Sequence, residues 1–412
     1  LIGPWAHAFP HDAVPGPSIG FLQEALRWWD HWLKGADTGI MDEPLLRVWM
    51  QDSVAPQPFY EHRPGRWVAE ESWPSPRMAP LRFHLNPRRL NAAPRAETPM
   101  IVSSPQTTGL NAGEWCAFGA DGEMPTDQRP DDGRSLCFDS DPLDARLEIL
   151  GAPVLTVDIA VDRPVAMIAV RLNEVAPDGA STRVTYGLLN LTHRDDHSAP
   201  MPLEPGQRYR VAVRLNDIAH AFSAGSTIRL AISTSYWPIA WPTPEPVTLT
   251  VFCGAGTLDL PVRPPSPLDA ALPDFPPPER GPSQENVTVR RAPFTRKMER
   301  DLTTGETIHT LESDGGELGG AAMAVIEAIG LNIGHHMVKT FRIGETDPLS
   351  ARGELRQRTI LKRDDWSVRV ETETCITSTA EVFRFVAKLR AYDGEAEVFT
   401  REWDDEIPRD LL

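Results

Sequence analysis

Cysteine is scarce in this chain. Only four stand among 412 residues (Cys116, Cys137, Cys253 and Cys375), far apart and in no C-x-x-C pair. That argues against a disulfide scaffold or a structural zinc site and leaves a reducing cytoplasm as the default location. No apolar run is long enough to span a bilayer and no signal peptide is recognisable, so no membrane partner is expected. Basic residues are also short: 41 Lys and Arg face 58 Asp and Glu, a net charge of −17. Such a balance suits neither nucleic acid nor an anionic lipid surface. The acids are spread along the chain, which reads as a solubility feature rather than a substrate signal. Helical periodicity is rare too, and that shortage excludes a doubly wound sheet for most of the chain.

What remains is ordinary for a globular protein, with 41% apolar and 24% charged residues. The length allows two or three domains with substantial cores. Leu1-Ile2-Gly3-Pro4-Trp5-Ala6-His7 reads as the end of a buried strand that breaks at Gly-Pro into a loop carrying a histidine. One strong amphipathic helix follows over Phe21–Leu33, with Phe21, Leu22, Ala25, Leu26, Trp29, Trp32 and Leu33 on one face. Lys34-Gly35 ends it, a cation in the last turn and a glycine cap.

From about Leu45 the period becomes two. Val/Ile/Leu/Thr runs recur at 45–50, 81–85, 154–160, 166–175, 182–192, 209–215, 227–235 and 247–251, broken by Pro, Gly and Asp. Pro177-Asp178-Gly179 and Pro205-Gly206 signal reversals. Many strands with turn punctuation indicate a β-sandwich or jelly roll. Pro261 to Pro282 is dense in proline and reads as an extended linker. Beyond it, runs at 338–343, 353–361, 366–374, 382–391 and 397–403 alternate like an antiparallel meander. The expected architecture is mainly β, in four parts: residues 1–44 end an α/β-hydrolase domain, 45–262 form a jelly-roll β-sandwich, 263–282 a proline-rich linker, and 283–412 a further antiparallel β-domain.

A serine hydrolase needs a nucleophile, a neutral imidazole to take its proton, an acid to orient that imidazole, and donors for the oxyanion. In α/β-hydrolases the histidine comes last in chain order, on a loop after the final strand. His7 suits that position. Taken alone, a histidine is usually a surface or satisfied core residue; the preceding Gly-Pro-Trp sets this one apart. Gly3-Pro4-Trp5-Ala6-His7 with Asp30-His31-Trp32-Leu33-Lys34-Gly35 resembles the G-P-W-x-H and D-x-W-L-K-G pair of the X-prolyl dipeptidyl peptidase and cocaine esterase superfamily. That superfamily includes α-amino acid ester hydrolases and cephalosporin acylases. The likeness continues through Leu150-Gly151-Ala152-Pro153, the hairpin Val170 to Gly179, Leu203 to Gly206, Ala219-His220-Ala221-Phe222 and Ala224 to Ser233, all in the family's order.

By that resemblance His7 is the triad histidine, and the nucleophile and acid lie upstream of it. The chain then reads as the C-terminal part of a larger serine acyl hydrolase, of dipeptidyl-peptidase or esterase type. It would act on small esters or peptides, with no metal and no cofactor, and would be silent by itself. Self-association into a homo-oligomer stays open. The rival is a non-catalytic β-sandwich module binding carbohydrate or a protein partner.

Other candidates are weaker. Gly16-Pro17-Ser18-Ile19-Gly20 satisfies G-x-S-x-G in letters, but no strand feeds it, Pro17 restricts the elbow, and it follows the histidine. Ser18 therefore reads as a turn residue near a helix start. His193-Arg194-Asp195-Asp196-His197 and His335-His336 lack metal-ligand spacing and read as solvated. Trp237 and Trp241 suit either a rim pocket or packing between domains.

Overall fold

A computed structural model of the chain describes residues 1–281, 286–291, 294–315 and 321–412. Two sheets account for the described residues, one of 14 strands and one of nine. The first takes its strands from Leu46–Asp52 to Leu249–Val262, the second from Asn286–Arg291 to Ala396–Pro408.

The first sheet wraps one main core and smaller clusters beside it. Leu155, Val157 and Ile159 come from the strand Val154–Val161, and Ile168, Val170 and Leu172 from Met167–Val175. Leu230 and Ile232 of Thr227–Ser233 and Leu249 and Val251 of Leu249–Val262 complete it, each 0% exposed. These are the alternate positions of the period-two runs, and β-branched and aliphatic side chains fill a pleated surface well. Pro177-Asp178-Gly179 does turn the chain between Met167–Val175 and Ser181–Asn190, which pair antiparallel. Gly179 takes a positive φ of 87° there, a conformation glycine adopts without penalty.

The second sheet is a meander of long neighbours: Leu331–Gly344, Arg352–Arg363, Trp366–Ser378, Val382–Asp393 and Ala396–Pro408. Its join to the first is aromatic. Trp237, 1% exposed, meets Trp241 edge-on at 5.4 Å and Phe341 at 6.0 Å between ring centroids. Trp241 meets Phe383 at 5.9 Å and donates to Ser378 Oγ at 3.0 Å. Both tryptophans are thus packing residues between the two sheets.

One expectation is corrected. Leu1 and Ile2 are not the end of a buried strand: Ile2 makes a single parallel bridge to Val48, and the pair is 49% and 56% exposed. One bridged residue gives no ladder to bury a side chain on either face. The helix Phe21–Lys34 forms and is capped by Gly35 at φ 67° as expected. Its polar side, however, faces the protein. Glu24 is its buried residue, bonded to Arg27 at 2.9 Å, while Leu26, Trp29, Trp32 and Leu33 are 53–74% exposed.

The proline-dense stretch after Val262 is anchored along its length. Buried Arg263 binds Glu70 at 2.8 Å and Asp269 at 2.6 Å, Arg47 donates to Pro273 O at 2.6 Å, and Gly20 N donates to Pro276 O at 2.8 Å. Phe275 packs against Trp67 and lies under the Arg47 guanidinium. It is extended apart from one helical turn at Pro267–Ala271.

Candidate functional site

The loop that carries His7 is held by hydrogen bonds to backbone carbonyls rather than by a strand. Trp5 Nε1 donates to Pro17 O at 2.8 Å, and the His7 amide donates to Ala117 O at 2.7 Å. The imidazole is exposed and meets the Phe118 ring edge-on at 5.0 Å. It opens on a cleft of about 450 Å³ whose other wall is Glu114 to Ala117, Glu123 to Pro125 and Arg183. Among the described residues no carboxylate or hydroxyl hydrogen-bonds the ring.

That wall belongs to a stretch between the strand Thr98–Val102 and the short helix Arg129–Asp132, residues 103–128, with no regular structure of its own. Without ladder bonds its backbone must be satisfied otherwise, and Glu123 does this. Only 4% exposed, it accepts with Oε2 from the amides of Phe118, Gly119 and Ala120 at 2.8–2.9 Å. Three donors converging on one carboxylate oxygen fix the loop's shape. Gly119 lets the loop lie against the N-terminal segment: its φ is 91°, and a Cβ there would stand 2.7 Å from Val14 O.

The second sheet also grips this loop. Arg296, on the strand Phe294–Arg300, ion-pairs with Glu114 and donates to Gly122 O. Its Nε donates to His309 Nε2 at 3.0 Å. Burial pulls the Arg296 pKa down to about 10, so it stays cationic at neutral pH. Burial, with the charge of Arg296, pushes His309 down to about 4, which leaves its ring neutral and able to accept.

The remaining sequence candidates do not converge on the cleft. Ser18 is exposed in the coil before the helix, its hydroxyl donating to Ala13 O at 3.4 Å. The rings of His193 and His197 lie 5.5 Å apart, tilted by 40°, and His336 pairs with Glu312 at 3.1 Å. No group of three potential metal ligands occurs among the described residues. A larger cavity, about 550 Å³, lies between Gly3–Trp5 and the strand Leu46–Asp52, but its charged pair, Arg214 and Asp217, is self-neutralised at 2.9 Å. Sequence reasoning missed Glu123, Arg183 and Arg296. The one signal was the long aperiodic stretch 103–128, since connections of that length inside a compact fold are often functional.

Residues 38–255 match the family described as the X-Pro dipeptidyl-peptidase C-terminal non-catalytic domain. The chain belongs to this family. His7 and its loop precede the matched region, whereas the loop that receives them, 114–125, lies inside it.

Similar proteins carry hydrolase names. A Mycobacterium bovis protein bearing a serine esterase name is 28% identical over 57% of this chain and 40% of its own length. Cocaine esterase of Rhodococcus is 21% identical over 58% of this chain and 44% of its own. The chain therefore spans less than half the length of these relatives. The crystal structure of an aminopeptidase from a marine sediment archaeon (Thaumarchaeota archaeon) shares the fold at TM-score 0.51 and 18% identity, over 64% of this chain and 49% of that one. No helix of the described residues is long and apolar enough to cross a membrane.

Proposed function

We propose that the chain is the C-terminal portion of a serine acyl hydrolase cleaving amide or ester bonds, and that His7 is the imidazole of its triad. The observation that carries this reading is the exposed ring at the end of Gly3-Pro4-Trp5-Ala6, its backbone docked on Ala117 and its face open to a cleft. The relatives' greater length supports it, and so does the outward apolar face of the Phe21–Lys34 helix. In this reading residues 1–44 complete an α/β-hydrolase domain that covers that face. Residues 45–262 form a jelly roll walling the acyl pocket, and 283–412 a further β-domain that steadies the wall through Arg296.

His7 would take the proton from the serine hydroxyl as it attacks the carbonyl, then hand it to the leaving group. The Phe118 edge and the Ala117 bond restrict where the ring can stand, and position is the first requirement of a general base. In the intact hydrolase, His7→Ala should lower kcat by about 10⁴-fold with the fold unchanged. The 412-residue chain alone should not react with a fluorophosphonate probe. Stoichiometric labelling at one serine, Ser18 included, or a His7→Ala loss below about tenfold, refutes the assignment. The description of residues 38–255 as non-catalytic favours a second reading for that stretch, a module that binds carbohydrate or a protein partner. An upstream coding sequence without a strand, G-x-S-x-G and helix would select it.

A further inference from the structure

The cleft beside His7 carries one cation without an ion-pair partner among the described residues. Of its two carboxylates, Glu114 is paired with Arg296, and Glu123 is spent on three backbone amides. Arg183 lines the same cleft and has no ion-pair partner among the described residues. In a chain of net charge −17, where most arginines of this sheet sit against Asp or Glu, that is unusual.

The guanidinium is nevertheless held in place. Its Nη1 donates to the hydroxyl of Tyr236, a side chain that is 0% exposed, at 2.8 Å. Its carbon lies 4.6 Å from the centre of the Tyr186 ring. Neither contact removes the charge, so the group is oriented by aromatic partners and left free to take an anion. The backbone contributes as well. The strand Ser181–Asn190 shifts register against Met167–Val175 between Arg183 and Thr185, and a bulge of this kind re-aims the adjacent side chain out of the regular alternation. Around the guanidinium the cleft offers apolar surface: Met124, and Trp115, which is 77% exposed.

We propose that Arg183 makes this cleft a binding site for a carboxylate joined to an aryl or alkyl body. The planar fork of a guanidinium matches a carboxylate with two parallel hydrogen bonds, and Trp115 gives the body a flat surface to lie on. The proposal rests on the reading of His7 as the imidazole that works at this cleft, and it sharpens the substrate class. The favoured ester or amide carries a free carboxylate that Arg183 holds while the scissile carbonyl lies toward His7.

The test is equilibrium binding to the 412-residue chain, so it stands or falls separately from turnover. Phenylacetate and its uncharged isostere phenylacetamide are titrated by calorimetry. Phenylacetate should bind at least about tenfold tighter, and Arg183→Gln should erase that preference while leaving phenylacetamide unchanged. Arg183→Lys keeps the charge without the fork and should weaken phenylacetate about threefold or more, which serves if the glutamine variant does not fold. Equal binding of the two compounds, no binding of either, or an unchanged phenylacetate affinity in a folded Arg183 variant overturns the proposal.

Discussion

His309 gives the sharpest stability prediction. Its ring is half-buried near where the two sheets meet, beside Phe341, and accepts a hydrogen bond from Arg296. Burial first, and the Arg296 charge second, lower its pKa from 6.5 to about 4. A proton that binds the unfolded chain near pH 6.5 is thus refused by the folded one until about pH 4. The unfolded state holds more protons across that window, so stability is full above pH 6.5 and falls as the pH drops. Each pH step of one within the window costs about 1.4 kcal/mol, which makes the loss from pH 7.5 to pH 4.5 about 2.5 kcal/mol from this residue.

Glutamine in place of His309 keeps an acceptor for Arg296 but cannot take the proton. Urea unfolding of both proteins at several pH values between 4.5 and 7.5 isolates the effect. The wild type should lose about 2.5 kcal/mol more than His309→Gln over that range. Glu148 and Glu174 do not confuse the comparison. Burial alone would raise both carboxyls, but Arg66 and Arg146 on one, and His220 on the other, hold them below the usual range. Their stabilisation is therefore lost only below about pH 4.5, and equally in both proteins. Parallel curves for the two proteins would refute the reasoning, as would a His309 titration by NMR with a midpoint near 6.5.

Two further outcomes follow from the cleft and the core. Glu123→Ala should remove amide protection at Phe118, Gly119 and Ala120 in hydrogen exchange and expose the loop to proteases, at a cost of about 2 kcal/mol or more; unchanged protection would show that the loop is held by something else. Burial pushes the Cys137 thiol up to about 12 and that of Cys253 up to about 11, so iodoacetamide at pH 8 should modify Cys116, which lines the cleft, well before either. Stoichiometric modification of Cys253 in the folded chain would contradict its burial.

Features that rest on local periodicity could be read from the amino-acid order. The Phe21–Lys34 helix and its glycine cap were legible because helical spacing and a positive-φ terminator are properties of adjacent residues. The strands Val154–Val161 and Tyr209–Arg214 were legible for the same reason, since one side of each is mostly buried and the alternation survives, while Met167–Val175, buried on both faces, showed through its β-branched and aliphatic content. Strands such as Leu136–Asp139 and Thr98–Val102 were not, being too short to show a period. The Gly-Pro-Trp-Ala-His motif marked His7 without any coordinates.

Other features depend on residues far apart in the chain and emerge only on folding. Periodicity told which face of the helix is apolar but not that Glu24 would be the buried side, a choice fixed by Arg27, Glu43 and their neighbours in space. Arg183 carries no signal of its own; the bulge beside it and the pairing of Glu114 with Arg296, 182 positions later in the chain, leave its charge uncompensated. Charges read from a sequence are all unpaired, and only folding shows which ones find a partner.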